Sequence, residues 1–274
     1  MEPDQENGRR IRSLPNLLVV RALRKAIWRT PQLLTKLYSL WARATYPFKS
    51  VGPGLEIHYT CDLKNMELIQ IGNHVSVFKD VWLQAQLSPA NTLEGAGKAN
   101  PAAPPVLILE DDCWIGRRAH IDARNCIHLE KGVLVSAAVL IQDYAHDTTD
   151  LTLPIREQGM TKGGKIRIGQ GCWIGQGAAI ICDSGELTLG RNCVVGANAV
   201  VTRSAPDYSV LSGNPARIVK QFDPVKGAWV LGSSRPLEAD PTRSIQVSSM
   251  SDRKAADPAA ASRCECQVPA GTQK

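Results

Sequence analysis

Ile168-Gly169-Gln170-Gly171-Cys172-Trp173-Ile174-Gly175-Gln176-Gly177-Ala178 sets an aliphatic residue at every sixth position, with a small residue four places after each. The same phrase stands at Leu109-Glu110-Asp111-Asp112-Cys113-Trp114-Ile115-Gly116 and at Leu189-Gly190-Arg191-Asn192-Cys193-Val194-Val195-Gly196. Such a period suits neither an amphipathic helix nor a half-buried alternating strand. It matches a parallel β-helix, in which each hexapeptide forms one face of a coil. The aliphatic residues then point inward and stack from coil to coil. The small residue sits near a corner, and glycine or asparagine at the turn supplies a positive φ at low cost.

Outward from that phrase, hexads begin at Ile71 and Val77 and resume at Leu109, Ile115, Ile121, Leu129, Val135 and Ile141. They end with Ile168, Ile174, Ile180, Leu189, Val195 and Val201, and weaker ones precede them near Ile57 and Leu63. Two stretches leave the pattern, Leu87 to Pro105 and Tyr144 to Gly164, and both read as loops. The spacing slips to eight between Ile121 and Leu129 and to nine between Ile180 and Leu189, as bulges at a corner allow. Val51-Gly52-Pro53-Gly54 opens the array, and the pattern is gone beyond Val219. Three parts follow: a basic amphipathic helical arm over residues 1–50, the coil over 51–220, and a mostly disordered tail over 221–274. The Ser, Pro, Ala and charged residues of 232–274 carry the reading of disorder, with Trp229-Val230-Leu231 as the one hint of a docking spot.

The arm carries the charge. Residues 1–50 hold ten Lys/Arg against three acids, while the whole chain has a net charge of +6, so the remainder is near neutral. A basic character confined to one segment does not point to nucleic acid. Residues 1–13 read as a disordered lead, and Leu17, Val20, Leu23 and Ile27 then fall at helical spacing. Thr30-Pro31 reads as an N-cap and first-turn proline, opening a second helix that would bury Leu33, Leu34, Leu37, Leu40 and Trp41. Arg21, Arg24, Lys25, Arg29, Lys36 and Arg43 lie between these apolar positions. Over residues 15–46 two readings stay open: a basic arm docking on an anionic membrane surface, or a cap over the open end of the coil.

Composition agrees with stacked small aliphatics, at 43% hydrophobic residues but only 5% aromatic, with 22 Gly and 17 Pro. The start Met1-Glu2-Pro3-Asp4-Gln5-Glu6 is acidic with no apolar run behind it, and Leu17-Leu18-Val19-Val20 is too short to span a bilayer. A cytoplasmic protein is the expectation, with the inner face of the membrane as a station for the arm. Among the eight cysteines, Cys113, Cys172 and Cys193 fill the small-residue slot taken elsewhere by valine or alanine. There they act as small buried hydrophobes rather than metal ligands, and no CxxC pair occurs. No metal site is expected.

Asp143-Tyr144-Ala145-His146-Asp147, Leu153-Pro154-Ile155, Gly164-Lys165-Ile166-Arg167-Ile168-Gly169, Cys172-Trp173-Ile174-Gly175 and Ser212-Gly213-Asn214-Pro215-Ala216-Arg217-Ile218-Val219-Lys220 together carry a resemblance. Over residues 51–220 the chain resembles the hexapeptide-repeat O-acetyltransferases, among them the maltose, galactoside and polysaccharide-biosynthesis enzymes. The resemblance implies a left-handed parallel β-helix, a homotrimer with active sites between subunits, acetyl-CoA as acyl donor and a sugar or glycan acceptor. A polysaccharide or glycolipid precursor is the favoured acceptor. Small free sugars, antibiotics and a non-catalytic trimeric scaffold are the alternatives. Another group of β-helix proteins holds zinc through three histidines, two of them five residues apart, and no two histidines here have that spacing.

Acetyl transfer to a hydroxyl needs a base, because a sugar hydroxyl is hardly ionised at neutral pH. A histidine near its ordinary pKa of ~6.5 suits the task. His146 matches the family's catalytic histidine, with Asp143 or Asp147 beside it to orient the imidazole. The resemblance also points to Gln176, Ala197 and Thr202 along the coenzyme groove and to Arg217 and Lys220 at the nucleotide's phosphates. Trp173 has two open readings, a wall of the acceptor cleft or a structural residue, since Trp114 holds the same slot in an earlier coil. Gln176 departs from the serine that galactoside acetyltransferases carry there. His74, His120 and His128 take outward positions and read as residues of the solvated coil face, with the lining of a cleft as the alternative for His120 or His128.

Overall fold

The computed structural model describes residues 16–93 and 96–231. The chain winds through three six-stranded or larger sheets in strict rotation. The first sheet holds Ser50–Val51, Ile69–Ile71, Leu107–Leu109, Cys126–Leu129, Lys165–Ile168 and Glu186–Leu189, each parallel to the next. The second holds Glu56–Ile57, Ser76–Val77, Trp114–Ile115, Leu134–Val135, Trp173–Ile174, Val194–Val195 and Ser209–Ser212 in parallel. The third holds Asp62–Lys64, Trp82–Ala85, His120–Ala123, Leu140–Gln142, Ala179–Ile181 and Val200–Val201. This is a left-handed parallel β-helix. Its core is the column of hexad residues: Ile115, Ile121, Leu129, Val135, Ile141, Ile168, Ile174, Ile180 and Leu189 are fully buried. Cys113, Cys172 and Cys193 are buried beside them in the small-residue slot.

Two of the three corners are uniform. Between the first and second sheets, Gly54, His74, Asp112, Gly132, Gly171 and Asn192 succeed one another at positive φ. Between the second and third, Asp80, Arg118, Ala138, Gly177 and Asn198 do the same. The corner from the third sheet back to the first is irregular. Both excursions leave there, after Ala85 and after Gln142, and both spacing slips, at Arg124-Asn125 and at Cys182–Gly185, lie there too.

The ends differ from the sequence expectation. A single helix, α1 (Asn16–Thr45), runs through Thr30-Pro31, where a second helix had been expected to start. Proline's fixed φ is compatible with a helix, and the lost ladder hydrogen bond and ring crowding can be taken up by a bend as well as by a break. The contact face differs as well. Leu33, Leu34, Leu37, Leu40 and Trp41 are exposed, and the helix meets the coil through Ser39 and Ala42, flanked by Tyr38 and Tyr46. Ser39 Oγ accepts from Ile57 N (2.8 Å) and donates to Thr35 O (2.7 Å), with Ile57 O 3.2 Å away, so it satisfies the N–H of the first second-sheet strand. Only small side chains let the helix approach the strand edge that closely, so the leucines are displaced to the other face. Residues 1–13, expected as a disordered lead, and the side chains of Leu17, Val20, Leu23 and Ile27 lie outside what is described.

At the far end, Arg217–Asp223 adds antiparallel to Ser209–Ser212, and Ala228–Leu231 adds to that. Residues 221–231, expected within the disordered tail, are therefore a hairpin. Asp223 Oδ1 accepts from Val225 N (3.0 Å) and Lys226 N (3.2 Å), and Gly227 takes φ 60°. Asp223-Pro224-Val225-Lys226-Gly227 is turn chemistry of the kind that closes hairpins, a signal hidden from a search for hexads. The tail from 232 onward lies outside the described residues.

The second-to-third corner yields a paired expectation. Ala138 sits at φ 56°, a conformation that costs an L-residue about 1–2 kcal/mol, so Ala138→Gly should stabilise by about 0.5–1 kcal/mol after the backbone entropy cost of glycine. Gly177, one coil on at φ 69°, already has glycine, and a Cβ there would strike Asn198 Oδ1. Gly177→Ala should therefore destabilise by at least ~1 kcal/mol. Urea unfolding of the two variants checks the signs, and two shifts in the same direction would contradict this account of the corner.

Candidate active site

The irregular corner is also where polar groups are buried. Three successive coils meet there through Gln86, Asp122 and Tyr144. The Tyr144 phenol donates to Asp122 Oδ2 (2.6 Å), and Gln86 Nε2 donates to the Tyr144 oxygen (2.8 Å) and to Asp122 Oδ2 (3.3 Å). Burial, then the bond to Asp122, pushes the Tyr144 pKa well above the usual phenol range. Trp82 stacks on His120 at 4.6 Å with a 10° interplanar angle, and Lys64 Nζ stands 4.6 Å from the Trp82 ring centre. His120 is thus packed against a ring rather than simply solvated, and its Nε2 is buried. Sequence reasoning did not single out Gln86 or Asp122. Their only signal is a polar residue at the end of a third-sheet strand, next to an irregularity.

Asp143 is fully buried, and both of its oxygens are taken up by backbone. Oδ1 accepts from Arg124 N (2.7 Å), and Oδ2 accepts from Asn125 N (2.8 Å) and Cys126 N (2.7 Å). Arg124 and Asn125 are the two-residue insertion in the neighbouring coil, and Cys126 opens the strand that follows it. Asp143 therefore fastens that insertion to the root of the second excursion instead of offering a carboxylate to His146. Gly164 N, donating to Asp143 O (2.6 Å), closes the excursion beside its own root.

From that root the chain folds back as a short ladder. Thr161 N donates to Ala145 O (2.8 Å), Asp147 N donates to Gly159 O (3.1 Å), and His146 faces Met160 across it. The loop beyond is held by Gln158, whose amide donates to Asp150 O (2.7 Å) and Leu153 O (2.9 Å). Asp147 Oδ1 accepts from Thr149 N and Thr149 Oγ1 (2.9 and 2.8 Å). His146 itself is exposed, on a backbone pinned at both ends. Leu151, Leu153 and Ile155 at the tip of the excursion are exposed as well.

The residues matched to coenzyme binding are spread over the last coils. Gln176 and Ala197 occupy the same turn of consecutive coils, joined by Asn198 N donating to Gln176 O (2.9 Å), and both are exposed. Arg217 opens the antiparallel strand opposite Ser212, close to the same corner, while Lys220 lies further along opposite Val210. Thr202 follows the last third-sheet strand and stands apart from that turn. Trp173 is half-exposed on the second sheet, in register with Leu134 and Val194, and its Nε1 donates to Ser136 Oγ (2.9 Å). Within one chain the second sheet lies across the prism from the corner that bears His146. Among the described residues no group of three or more His, Cys, Asp and Glu is placed to hold a metal ion.

Asp143 gives a pH test of its structural role. Burial pushes its pKa up from 3.8 to about 6, partly opposed by the three amide donors. The folded state then binds the proton more tightly than the unfolded chain, so this contribution to stability is full below pH 3.8 and is lost as pH rises through about 6. The stability advantage of wild type over Asp143→Asn should shrink by about 1–3 kcal/mol across that window, as read by urea unfolding. A constant or growing difference would contradict the assignment.

Comparison with known proteins places this geometry in context. Residues 165–203 match the family model described as "Hexapeptide repeat of succinyl-transferase". The probable acetyltransferase Rv3034c of Mycobacterium tuberculosis is 34% identical over 170 residues, covering 62% of this chain and 49% of that protein. The putative lipopolysaccharide biosynthesis O-acetyl transferase WbbJ of Escherichia coli is 25% identical over 130 residues, covering 45% and 65%. The chain thus spans about half to two thirds of the length of these curated relatives. Among solved structures, AntD, an N-acyltransferase from Bacillus cereus in complex with dTDP and 3-hydroxybutyryl-CoA, superposes with a TM-score of 0.54. Its sequence identity is 20%, and the match covers 67% of this chain and 88% of that one, a likeness of fold. The repeat and the coil make the chain a left-handed parallel β-helix of hexapeptide repeats, and it is similar in sequence to proteins named as acetyltransferases.

Proposed function

We propose that the protein is an acetyl-CoA-dependent O-acetyltransferase acting on a sugar, with a polysaccharide or glycolipid precursor as acceptor and His146 as general base. The observation that carries the reading is His146 itself: an exposed imidazole on an excursion whose root is clamped by Asp143, Tyr144 and Asp122. A base so held keeps its position while its ring stays open to substrate. In the reaction, the acceptor hydroxyl gives its proton to His146 as its oxygen attacks the thioester carbon. Backbone N–H groups would stabilise the tetrahedral oxyanion. The C–S bond then breaks, and the imidazolium returns the proton to the coenzyme thiolate. No step as written draws on a metal. Asp143 acts in this scheme as a positioning residue, and Gln176, Ala197, Thr202, Arg217 and Lys220 are assigned to the coenzyme.

The site is proposed to be shared between copies in a homotrimer. His146 and Trp173 stand on different sides of one prism, so a cleft containing both takes them from two chains. The half-exposed column Trp114, Leu134 and Trp173 and the exposed Leu151, Leu153 and Ile155 are large apolar groups of the kind a subunit interface covers. The division of labour is an arm over 1–50, a catalytic coil from 51 extended through the hairpin to Leu231, and a tail beyond it. The cytoplasm, where acetyl-CoA is made, is the proposed location.

Two outcomes follow. His146→Ala should lower acetyl transfer to a panel of sugars by about 10²–10⁴-fold, measured as thiol release from acetyl-CoA, with coenzyme binding retained. Equal turnover in both proteins would remove His146 as base, and failure of either to bind coenzyme would favour a scaffold. His146→Ala and Trp173→Ala proteins, each impaired alone, should recover activity when unfolded and refolded together. No recovery in mixed oligomers would place the site within one chain.

A further inference from the structure

The free face of α1 has no role in the chemistry above. Ser39 and Ala42 occupy one side of the helix against the coil, while Leu33, Leu34, Leu37, Leu40 and Trp41 on the other side are between 46% and 67% exposed. This is a stripe of large apolar side chains at three- and four-residue spacing, on a helix whose other face is already engaged. The same helix carries Arg21, Arg24, Lys25, Arg29, Lys36 and Arg43 and no acidic residue. Lys36 and Arg43, seven residues apart, share a line of the helix between the leucine stripe and the face on the coil, and both are exposed. No helix among the described residues is long and apolar enough to cross a membrane.

We propose that α1 lies in the plane of an anionic phospholipid surface, its Leu33–Trp41 face inserted among the acyl chains and Lys36 and Arg43 paired with lipid phosphates. Charge decides between the two occupants of such a face. A second copy of the helix would bring six more positive charges against six, with no carboxylate on either to offset them. An anionic bilayer neutralises them, and long basic side chains can bury their stems while their charges reach the head groups. Cap and dock are then two faces of one helix. The orientation also follows. The end of α1 is pinned by Ser39 to the first second-sheet strand, so the coil stands with its N-terminal end towards the membrane. The His146 excursion leaves three rungs higher, roughly 15 Å at the usual strand spacing. Taken with the proposed acyl transfer, on which this last point alone rests, that height suits a sugar whose lipid anchor remains in the bilayer.

The test uses the full chain and vesicles of equal parts phosphatidylglycerol and phosphatidylcholine, with pure phosphatidylcholine as the comparison. Wild type should float with the anionic vesicles, more weakly with the neutral ones, and progressively less as salt is raised. At roughly fivefold per basic residue near the surface, K36Q/R43Q should bind the anionic vesicles about 25-fold more weakly. L37E/L40E should abolish flotation. These positions are exposed, so both variants should keep the wild-type circular dichroism and unfolding midpoint, and light scattering should report an unchanged oligomer. Wild-type protein that ignores anionic vesicles, or L37E/L40E that binds them as well as wild type, overturns the proposal. So does an L37E/L40E protein that falls apart into smaller species, which would make the face a contact between copies. None of these outcomes touches thiol release from acetyl-CoA, so the lipid surface and the acyl transfer stand or fall separately.

Discussion

Everything in this molecule depends on one packing constraint: inward aliphatic side chains must stack on their counterparts one strand spacing away, on three faces at once. Burying each such side chain is worth about 1.5–3 kcal/mol, and that gain is collected only if every coil keeps the same register. Register in turn requires turns of fixed geometry. Two corners obey this, with successive residues at positive φ, among them Arg118 and Ala138, which have no intrinsic liking for it. The stacking energy is large enough to hold them there.

The third corner is where the chain is released from that rule, and the two excursions and two spacing slips gather there. An insertion at a corner leaves the inward residues of the flanking strands in place, whereas one within a face would shift them out of the column. Polar groups collect at the same corner because loop backbone brought against a coil needs partners. Asp143 supplies them to Arg124, Asn125 and Cys126, while the Tyr144 phenol donates to Asp122 and accepts from Gln86. The ladder carrying His146 grows from this fastened base. A loop of more than twenty residues thus begins and ends at one fixed point, which is what a positioned imidazole requires.

How far the sequence could be read varies with the physics behind each feature. The hexads were legible because one period is imposed on every coil, and residues such as Ile174 and Cys172 have a single place to go. The Asp223–Gly227 hairpin was missed because it adds to the sheet in an antiparallel sense, outside that period. On α1, leucines at helical spacing mark an apolar stripe but not what covers it, and the stripe turns away from the coil. Ser39 and Ala42 won the coil contact by being small. Asp143 was placed beside His146 on adjacency in sequence, yet its carboxylate turns away into the neighbouring coil.

The sequence by itself determined the coil, its core residues, its interruptions and the candidate base, because each of these rests on local periodicity or on a short motif. Only the tertiary structure decided what depends on which coil lies beside which. That includes the burial of Asp143 against three amides, the Gln86–Asp122–Tyr144 clamp, the shared turn of Gln176 and Ala197, and the separation of Trp173 from His146 across the prism. The physical reason is that coil-to-coil hydrogen bonds join residues about twenty or more positions apart, such as Asn198 and Gln176 or Tyr144 and Asp122. Those partners are fixed by the stacking and leave no mark on the local pattern.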